Sequence, residues 1–211
     1  MINNYYIKQD DEQVGPYTQF ELMEMDLDVH TKVLSPLSNR WEEISDLPEF
    51  FEYFESKGHY FPTENNLAGF WWRVLAYFID YIILIILIIM LGSVLGVIMG
   101  LAGFAYMINS LSDESSASQL ILNLVGIVAN IVYHSIFEAT PMRGSIGKVI
   151  LKLAVVDADG QRESFGKALS RNAGKILSSL VLGIGFLCVL WDDHKQAWHD
   201  QLARTYVIRR A

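Results

Sequence analysis

Arg73 and Asp80 lie seven residues apart in one apolar stretch, Trp71-Trp72-Arg73-Val74-Leu75-Ala76-Tyr77-Phe78-Ile79-Asp80. Seven residues of α-helix turn through about 700°, so the two side chains share a face to within roughly 20°. The run that follows, Tyr81 to Leu91, is aliphatic enough to sit in lipid. A carboxylate at that depth is costly and marks a functional position by default. Its placement beside Arg73 in an apolar stretch is how an ion- or proton-responsive acid is built. The plainer alternative is an arginine reaching back to lipid phosphates and an aspartate held as a neutral, hydrogen-bonded structural acid.

A second polar set lies in the next apolar run. Asn123, Asn130, His134 and Glu138 fall at about 0°, −20°, +20° and +60° around a helix, and so form one stripe. Such a stripe should face protein or water rather than lipid. At about 1.5 Å of rise per residue, two antiparallel helices put Arg73 level with Glu138, and Asp80 level with Asn130 and His134. The spacing therefore predicts two polar levels between the helices: Arg73 with Glu138, and deeper, Asp80 with Asn130 and His134.

Other chemistry is thin. Trp191 to Asp200 holds several metal-ligand types, but no second His/Asp cluster supports it, so no metal is expected. Gly144-Ser145-Ile146-Gly147-Lys148 lacks the spacing of a phosphate-binding loop. No nucleophile with its base and no acid pair stands out, so neither an enzyme nor a cofactor is expected. The single cysteine, Cys188, lies in an apolar run and has no intramolecular partner.

The elements that position these residues follow from charge and hydropathy. Residues 1–66 hold fourteen Asp/Glu against four Lys/Arg, and residues 67–211 ten against twelve. The acidity thus belongs to the first part, which reads as a soluble α+β domain over 1–57. In it, Asn4–Lys8 and Thr31–Leu34 read as strands, Gly15-Pro16-Tyr17 as a turn, and Thr18 and Glu21 as a capping box. Asp46 is expected to cap a helix with Pro48 in its first turn. Residues 58–66 read as a linker, broken by Gly58 and Pro62.

From 67 to 211 the pattern is that of an α-helical membrane domain. Between Val74 and Ile108 there is one charge, and a crossing needs about 20 residues. One crossing is expected at about 74–97 and a second at 119–138, joined by a polar loop at 109–118 that lacks Lys and Arg. Between 139 and 175 lie seven Lys/Arg against three acids, which places that stretch, and the N-terminus, on the cytoplasmic side. Lys167, Arg171 and Lys175 make a basic stripe on an amphipathic helix capped by Ser164. Leu151–Val156 and Thr205–Ile208 read as partner strands of a short cytoplasmic β-hairpin-like element. Residues 176–191 are apolar but short, and read as a re-entrant segment or a third crossing. The fold class is therefore α+β, a small soluble domain followed by a helical membrane domain in a multi-pass inner-membrane protein.

Two resemblances attach to these motifs. Tyr5-Tyr6, Gly15-Pro16-Tyr17, the helix from Thr18, Trp41-Glu42-Glu43-Ile44 and Leu47-Pro48-Glu49-Phe50 resemble the bacterial variant of the GYF domain. The Gly-Tyr-Phe triplet of the eukaryotic form is absent. The resemblance implies a proline-rich or other cytoplasmic peptide as partner, with Tyr6, Tyr17, Phe20 and Trp41 as its aromatic platform. Residues from about 66 to 211 resemble the RDD family of integral membrane proteins, named for one arginine and two aspartates. Arg73 and Asp80 match the first two, and Asp200 in Trp198-His199-Asp200-Gln201 matches the last. Gly147-Lys148 and the strand before Asp159-Gly160 match its middle, with Ser145-Ile146 where Thr-Pro is usual. The resemblance implies transport, sodium/proton exchange among the activities attributed to members, with Asp200 bracing Arg73 from the cytoplasmic side. Two or three crossings are too few to enclose a path, so a homo-oligomer is expected in the lipid bilayer. The acidic balance argues against nucleic acid as a partner.

Overall fold

The computed structural model describes residues 4–9, 12–111 and 116–210. The chain forms two compact units: Met1–Pro62 with Ala158–Gln161, and Thr63–Asp157 with Arg162–Ala211.

The first unit is a four-stranded antiparallel sheet in the order β2-β1-β3-β4. Its strands are β1 (Tyr5–Gln9), β2 (Glu12–Tyr17), β3 (Lys32–Leu34) and β4 (Trp41–Glu43). Gly15-Pro16-Tyr17 is thus strand, not the turn expected from its residue types. Strand β2 is at the sheet edge, where a proline forfeits no ladder bond. Gly15 is required there: a Cβ would lie 2.8 Å from the Tyr5 carbonyl oxygen, at φ +145°. Helix α1 (Gln19–Glu24) opens on the capping box, with Thr18 Oγ1 accepting from Glu21 N–H at 3.1 Å and Glu21 accepting from Thr18 N–H at 2.7 Å. Pro48 opens a 3-10 turn that leads into α2 (Phe51–Ser56), and Leu47 rather than Asp46 precedes it as the cap. Tyr5, Ile7, Val33, Leu22, Ile44 and Phe50 lie in the core between the sheet and these helices. The Ala158–Gln161 turn belongs to this unit: Tyr60 N–H donates to the Gly160 carbonyl at 2.8 Å.

The second unit begins with α3 (Phe70–Leu111), which is broken at Gly100, where φ is 74° and ψ 153°. Beyond the break the chain folds back, and Phe104 packs over Gly92 and Gly96, within 3.6–3.7 Å of where their Cβ atoms would be. The four-residue glycine spacing is a seat for one aromatic ring. Helix α4 (Ser116–Glu138) follows. Residues 112–115, the centre of the polar loop expected at 109–118, lie outside the described residues. Helices α3 and α4 are both long and apolar enough to cross a membrane.

Helix α5 (Ile146–Ile150) leads into β5 (Leu153–Asp157), which pairs antiparallel with β6 (Thr205–Arg209). Helix α6 (Phe165–Leu180) starts at its Ser164 cap. It runs into the apolar stretch 176–191, expected as a re-entrant segment or a third crossing, ends at Leu180, and the chain bends by 113° into α7 (Ile184–Leu187) and a 3-10 turn, Cys188–Leu190. Leu182 and Gly183 turn the chain with φ of 51° and 77°. Gly185 then lies against α6 so closely that a Cβ would sit 2.7 Å from Ser178 Cα. Residues 184–190 therefore fold back against α6, and α8 (Trp198–Ala203) packs on α6 while β6 returns to β5.

Candidate functional site

Three buried carboxylates organise the second unit. Asp200 is fully buried at the start of α8, where its Oδ2 accepts the Ala197 N–H at 3.1 Å. Arg73 Nη1 donates to the same oxygen, and Arg171 donates to Oδ1 from Nε at 2.9 Å and from Nη2 at 2.6 Å. Arg73 also donates to the main-chain carbonyls of Lys195 and, at 3.0 Å, Ala68. Burial opposes ionisation of Asp200, but the two guanidinium groups outweigh it and hold its pKa well below the usual carboxylate range. Next to it, burial pushes the His199 pKa down to about 3, with Arg171 adding to the fall, so the ring is neutral at physiological pH.

Glu138, at the end of α4, is the second centre. It accepts from Lys148 Nζ at 2.6 Å and from Asn172 Nδ2 at 2.6 Å, and pairs with Arg171 Nη1 at 2.9 Å. Arg171 thus bridges Glu138 and Asp200 from the middle of α6 while only 2% exposed. Glu163, also buried, lies 3.9 Å from Arg171 Nε, and neither of its carboxylate oxygens has a hydrogen bond among the described residues. Burial, followed by the opposing pull of Arg171 and the push of Glu138, leaves its pKa raised.

Asp80 is the third. Its carboxylate accepts from Ser145 Oγ at 2.5 Å, from Gly147 N–H at 2.7 Å and from Tyr133 Oη at 3.3 Å. It ties the first turn of α5 to α3. Gly147 is there because nothing larger fits: a Cβ would be 2.2 Å from the Ala76 carbonyl oxygen and 3.0 Å from Asp80 Cγ.

The structure thus brings Arg73 and Asp200 together, but not the two levels expected from helix depth. Glu138 is bonded to Lys148, Arg171 and Asn172 instead of Arg73, because Asp200 and two carbonyls already fill the Arg73 fork. Asp80 is bonded to the α5 turn rather than to Asn130 or His134. Depth along two helices carried no information about a third segment inserted between them. Arg171 does not join a basic stripe at a lipid surface, since it turns inward to two acids. Its burial left no trace in the sequence beyond its four-residue spacing from Lys175.

Asn123, Asn130 and His134 do share a wall. With α3 and α6 they line a cavity of about 840 Å³. Facing them on α6 are Arg171, Lys175 and Ser179, again at four-residue spacing. Val74, Ile127, Ile131, Ile176 and Phe186 make its apolar surface. His134 is 2% exposed, its ring stacks on Tyr77 at 6.2 Å, and its Nδ1 has no hydrogen bond among the described residues. No hydrogen bond or close ion pair joins Lys175 to another described side chain.

Ser178, His199 and Asp200 make a serine–histidine–aspartate array, with Ser178 Oγ 3.3 Å from His199 Nδ1 and His199 Nε2 3.4 Å from Asp200. It is a packing contact. Ser178 is fully buried under Gly185, and Asp200 is already engaged by two arginines. No substrate carbonyl could reach that hydroxyl.

The aromatic quartet of the first unit divides. Cross-strand pairing aligns Tyr6 with Leu34 and Leu34 with Trp41, on the face opposite the buried Tyr5, Ile7 and Val33. Tyr17 instead pairs with Tyr5 and packs on the core, and Phe20 stands exposed on α1.

The RDD family model matches residues 67–204, the span that contains Arg73, Asp80 and Asp200. The chain belongs to the RDD family. Among its relatives is the uncharacterized protein YxaI of Bacillus subtilis, 35% identical over 146 residues, which are 67% of this chain and 96% of YxaI. The proline-rich antigen homolog of Mycobacterium tuberculosis is 29% identical over 163 residues, 70% of this chain and 65% of that protein. No solved structure gives a significant match. The RDD arginine and aspartates therefore do different work here. Arg73 and Asp200 close the fold between the start of α3 and α8, and Asp80 holds the α5 turn.

Proposed function

We propose that this RDD protein is a transport-related membrane protein, ion- or proton-coupled, that holds its solute in the cavity between α3, α4 and α6. One observation supports the reading above others. A cavity at the level of two membrane-length helices is lined by polar groups that the fold leaves unbonded, His134 Nδ1 and Lys175. Unbonded polar groups inside such a bundle are costly and mark a solute path. Asp80 is not the responsive carboxylate in this reading, because Ser145, Gly147 and Tyr133 already engage it in holding the α5 turn and α4 to α3. The residues that meet the solute are Asn123, Asn130, His134 and Lys175. In this reading the N-terminal unit faces the cytoplasm at the inner membrane, which the seven basic residues of 139–175 support. Residues 176–191 are a re-entrant segment rather than a crossing, and further copies of the chain complete the path. No covalent chemistry is assigned to the chain.

The test is flux through vesicles that carry the purified full chain and a trapped pH-sensitive dye, under imposed ion gradients. Gly126 faces the cavity with nothing within 4 Å of where its Cβ would be. Gly126→Phe should fill the space without a clash and lower flux about tenfold or more, a shift of roughly 1.4 kcal/mol in barrier. Flux equal to the native chain's would end the reading.

A second reading has its own observation. The outward row Tyr6–Leu34–Trp41 on a GYF-like first unit suits a membrane-anchored adaptor that recruits a proline-rich cytoplasmic peptide. Titration of the full chain with a proline-rich peptide, read by Trp41 fluorescence, should show saturable binding that Trp41→Ala and Tyr6→Ala remove. Equal binding by those variants would end it.

A further inference from the structure

Building on the cavity reading, we infer that the ligand is an anionic amphiphile, with a carboxylate or phosphate-ester head between Lys175 and His134 and a single apolar chain along α3 and α4. Charge sets the head. Four cations line the cavity, Arg73, Lys148, Arg171 and Lys175, against one acid, Asp80. Three of those cations are engaged by direct contact with Asp200 or Glu138, and the Asp80 carboxylate is hydrogen-bonded by Ser145, Gly147 and Tyr133. What remains is the Lys175 amine, without a contact partner among the described residues and with its pKa lowered by burial to about 7, so that a bound anion would restore its charge; it lies across from His134 Nδ1, which has no partner either. An anion there gains a charge-assisted bond and a second donor or acceptor from the ring. A cationic solute would face Lys175 with no unengaged acid among the lining residues to offset it.

The walls set the rest of the molecule. Val74, Ile127, Ile131, Ile176 and Phe186 give the cavity an apolar surface far larger than its polar one. A small hydrophilic anion would leave that surface wet or empty. The volume, about 840 Å³, is in the range that takes one ligand of drug size, roughly 300–1,000 Å³, so one chain fits better than a two-chain lipid. The outer faces of α3 and α4 are exposed leucine, isoleucine and valine over most of their length. The surroundings from which the ligand enters are therefore acyl chains.

Spin-labelled dodecanoate is the probe, offered to the full chain in phosphatidylcholine nanodiscs and read as the immobilised fraction of the resonance spectrum. The corresponding methyl ester, dodecyl phosphate and inorganic phosphate compete. Dodecanoate should bind saturably, dodecyl phosphate should displace it, and the ester should be about tenfold weaker or worse. Lys175→Gln should lose about tenfold in affinity while Lys175→Arg keeps it, and Gly126→Phe should lose binding of acid and ester alike. Two results overturn the inference: the ester or Lys175→Gln matching the native pair, or inorganic phosphate displacing the probe as well as dodecyl phosphate does. In either case the solute cavity itself stands, since flux and the Gly126→Phe variant judge it separately. Conversely, tight head-dependent binding by a chain that carries no flux would retain the ligand class and remove transport.

Discussion

Nine buried apolar side chains fill the core of the first unit, Tyr5 and Phe50 meeting edge to face at 5.6 Å within it. The comparable cluster of the second unit has five, two of them alanines: Ala68, Ala76, Leu153, Val155 and Val207. The second unit buries Asp80, Glu138, Arg143, Lys148, Glu163, Arg171 and Asp200 instead. The contrast goes with the second unit's two helices, which are long and apolar enough to cross a membrane. In water, an apolar interior is its own driving force. Helices surrounded by acyl chains gain nothing by exchanging lipid for leucine, so contact there must come from close backbone approach and from polar bonds. Gly147 against Ala76 and Gly185 against Ser178 supply the first, and the Arg73–Asp200–Arg171–Glu138–Lys148 chain supplies the second.

Removing one charge from that chain is the sharpest way to break the comparison. Asp200→Leu leaves Arg73 buried without its acid and Arg171 with Glu138 alone, and should destabilise the second unit by about 3–5 kcal/mol, measured by thermal unfolding in detergent. A loss below about 1 kcal/mol would mean the ionic centre is dispensable and the units are not so different. Gly147→Ala comes next. It pushes a methyl into the Ala76 carbonyl and should cost about 1–3 kcal/mol, while Gly126→Ala, with open space, should cost nothing or stabilise the helix slightly.

Acidity should distinguish the units as well. His199 titrates at about 3 in the fold against 6.5 when exposed, so between those values the unfolded chain takes up a proton that the native one refuses. Stability of the second unit must therefore fall as pH drops from about 6.5 towards 3. Asp200, with its lowered pKa, adds a further loss below the normal carboxylate range. His199→Phe should flatten the upper part of that slope, and an unchanged slope would exclude His199 as its source. The smallest effects belong to the first unit's surface. Thr18→Ala should cost about 1 kcal/mol through the lost cap. Phe20→Ser, at a side chain 66% exposed, should move stability by no more than about 0.5 kcal/mol.

Local pattern made parts of this legible in advance. The capping box at Thr18 and Glu21, the start of α6 at Ser164, the pairing of β5 with β6 and the common face of Asn123, Asn130 and His134 are written in neighbouring residues. The misreadings share a cause. Gly15-Pro16-Tyr17 has the residues of a turn, and only its place at a sheet edge makes it strand. Lys167-Arg171-Lys175 has the spacing of a lipid-facing basic stripe, and only Glu138 and Asp200, arriving from α4 and α8, draw Arg171 inward. Ser145 and Gly147 as partners of Asp80 could be suspected from a glycine next to a lysine, but nothing local says that the turn wedges against α3.

The order of residues by itself determined two units of opposite character, the membrane-length helices and which polar groups share a helical face, because each depends on interactions within a few turns of chain. The partners of those groups were decided only when distant segments met. A guanidinium at residue 171 has no preference among acids until the fold removes water from around it, and the acids it then finds are 33 residues before it and 29 after. Geometry at that range is a property of the packed chain, since every candidate pair is close in energy until desolvation makes the unpaired ones costly.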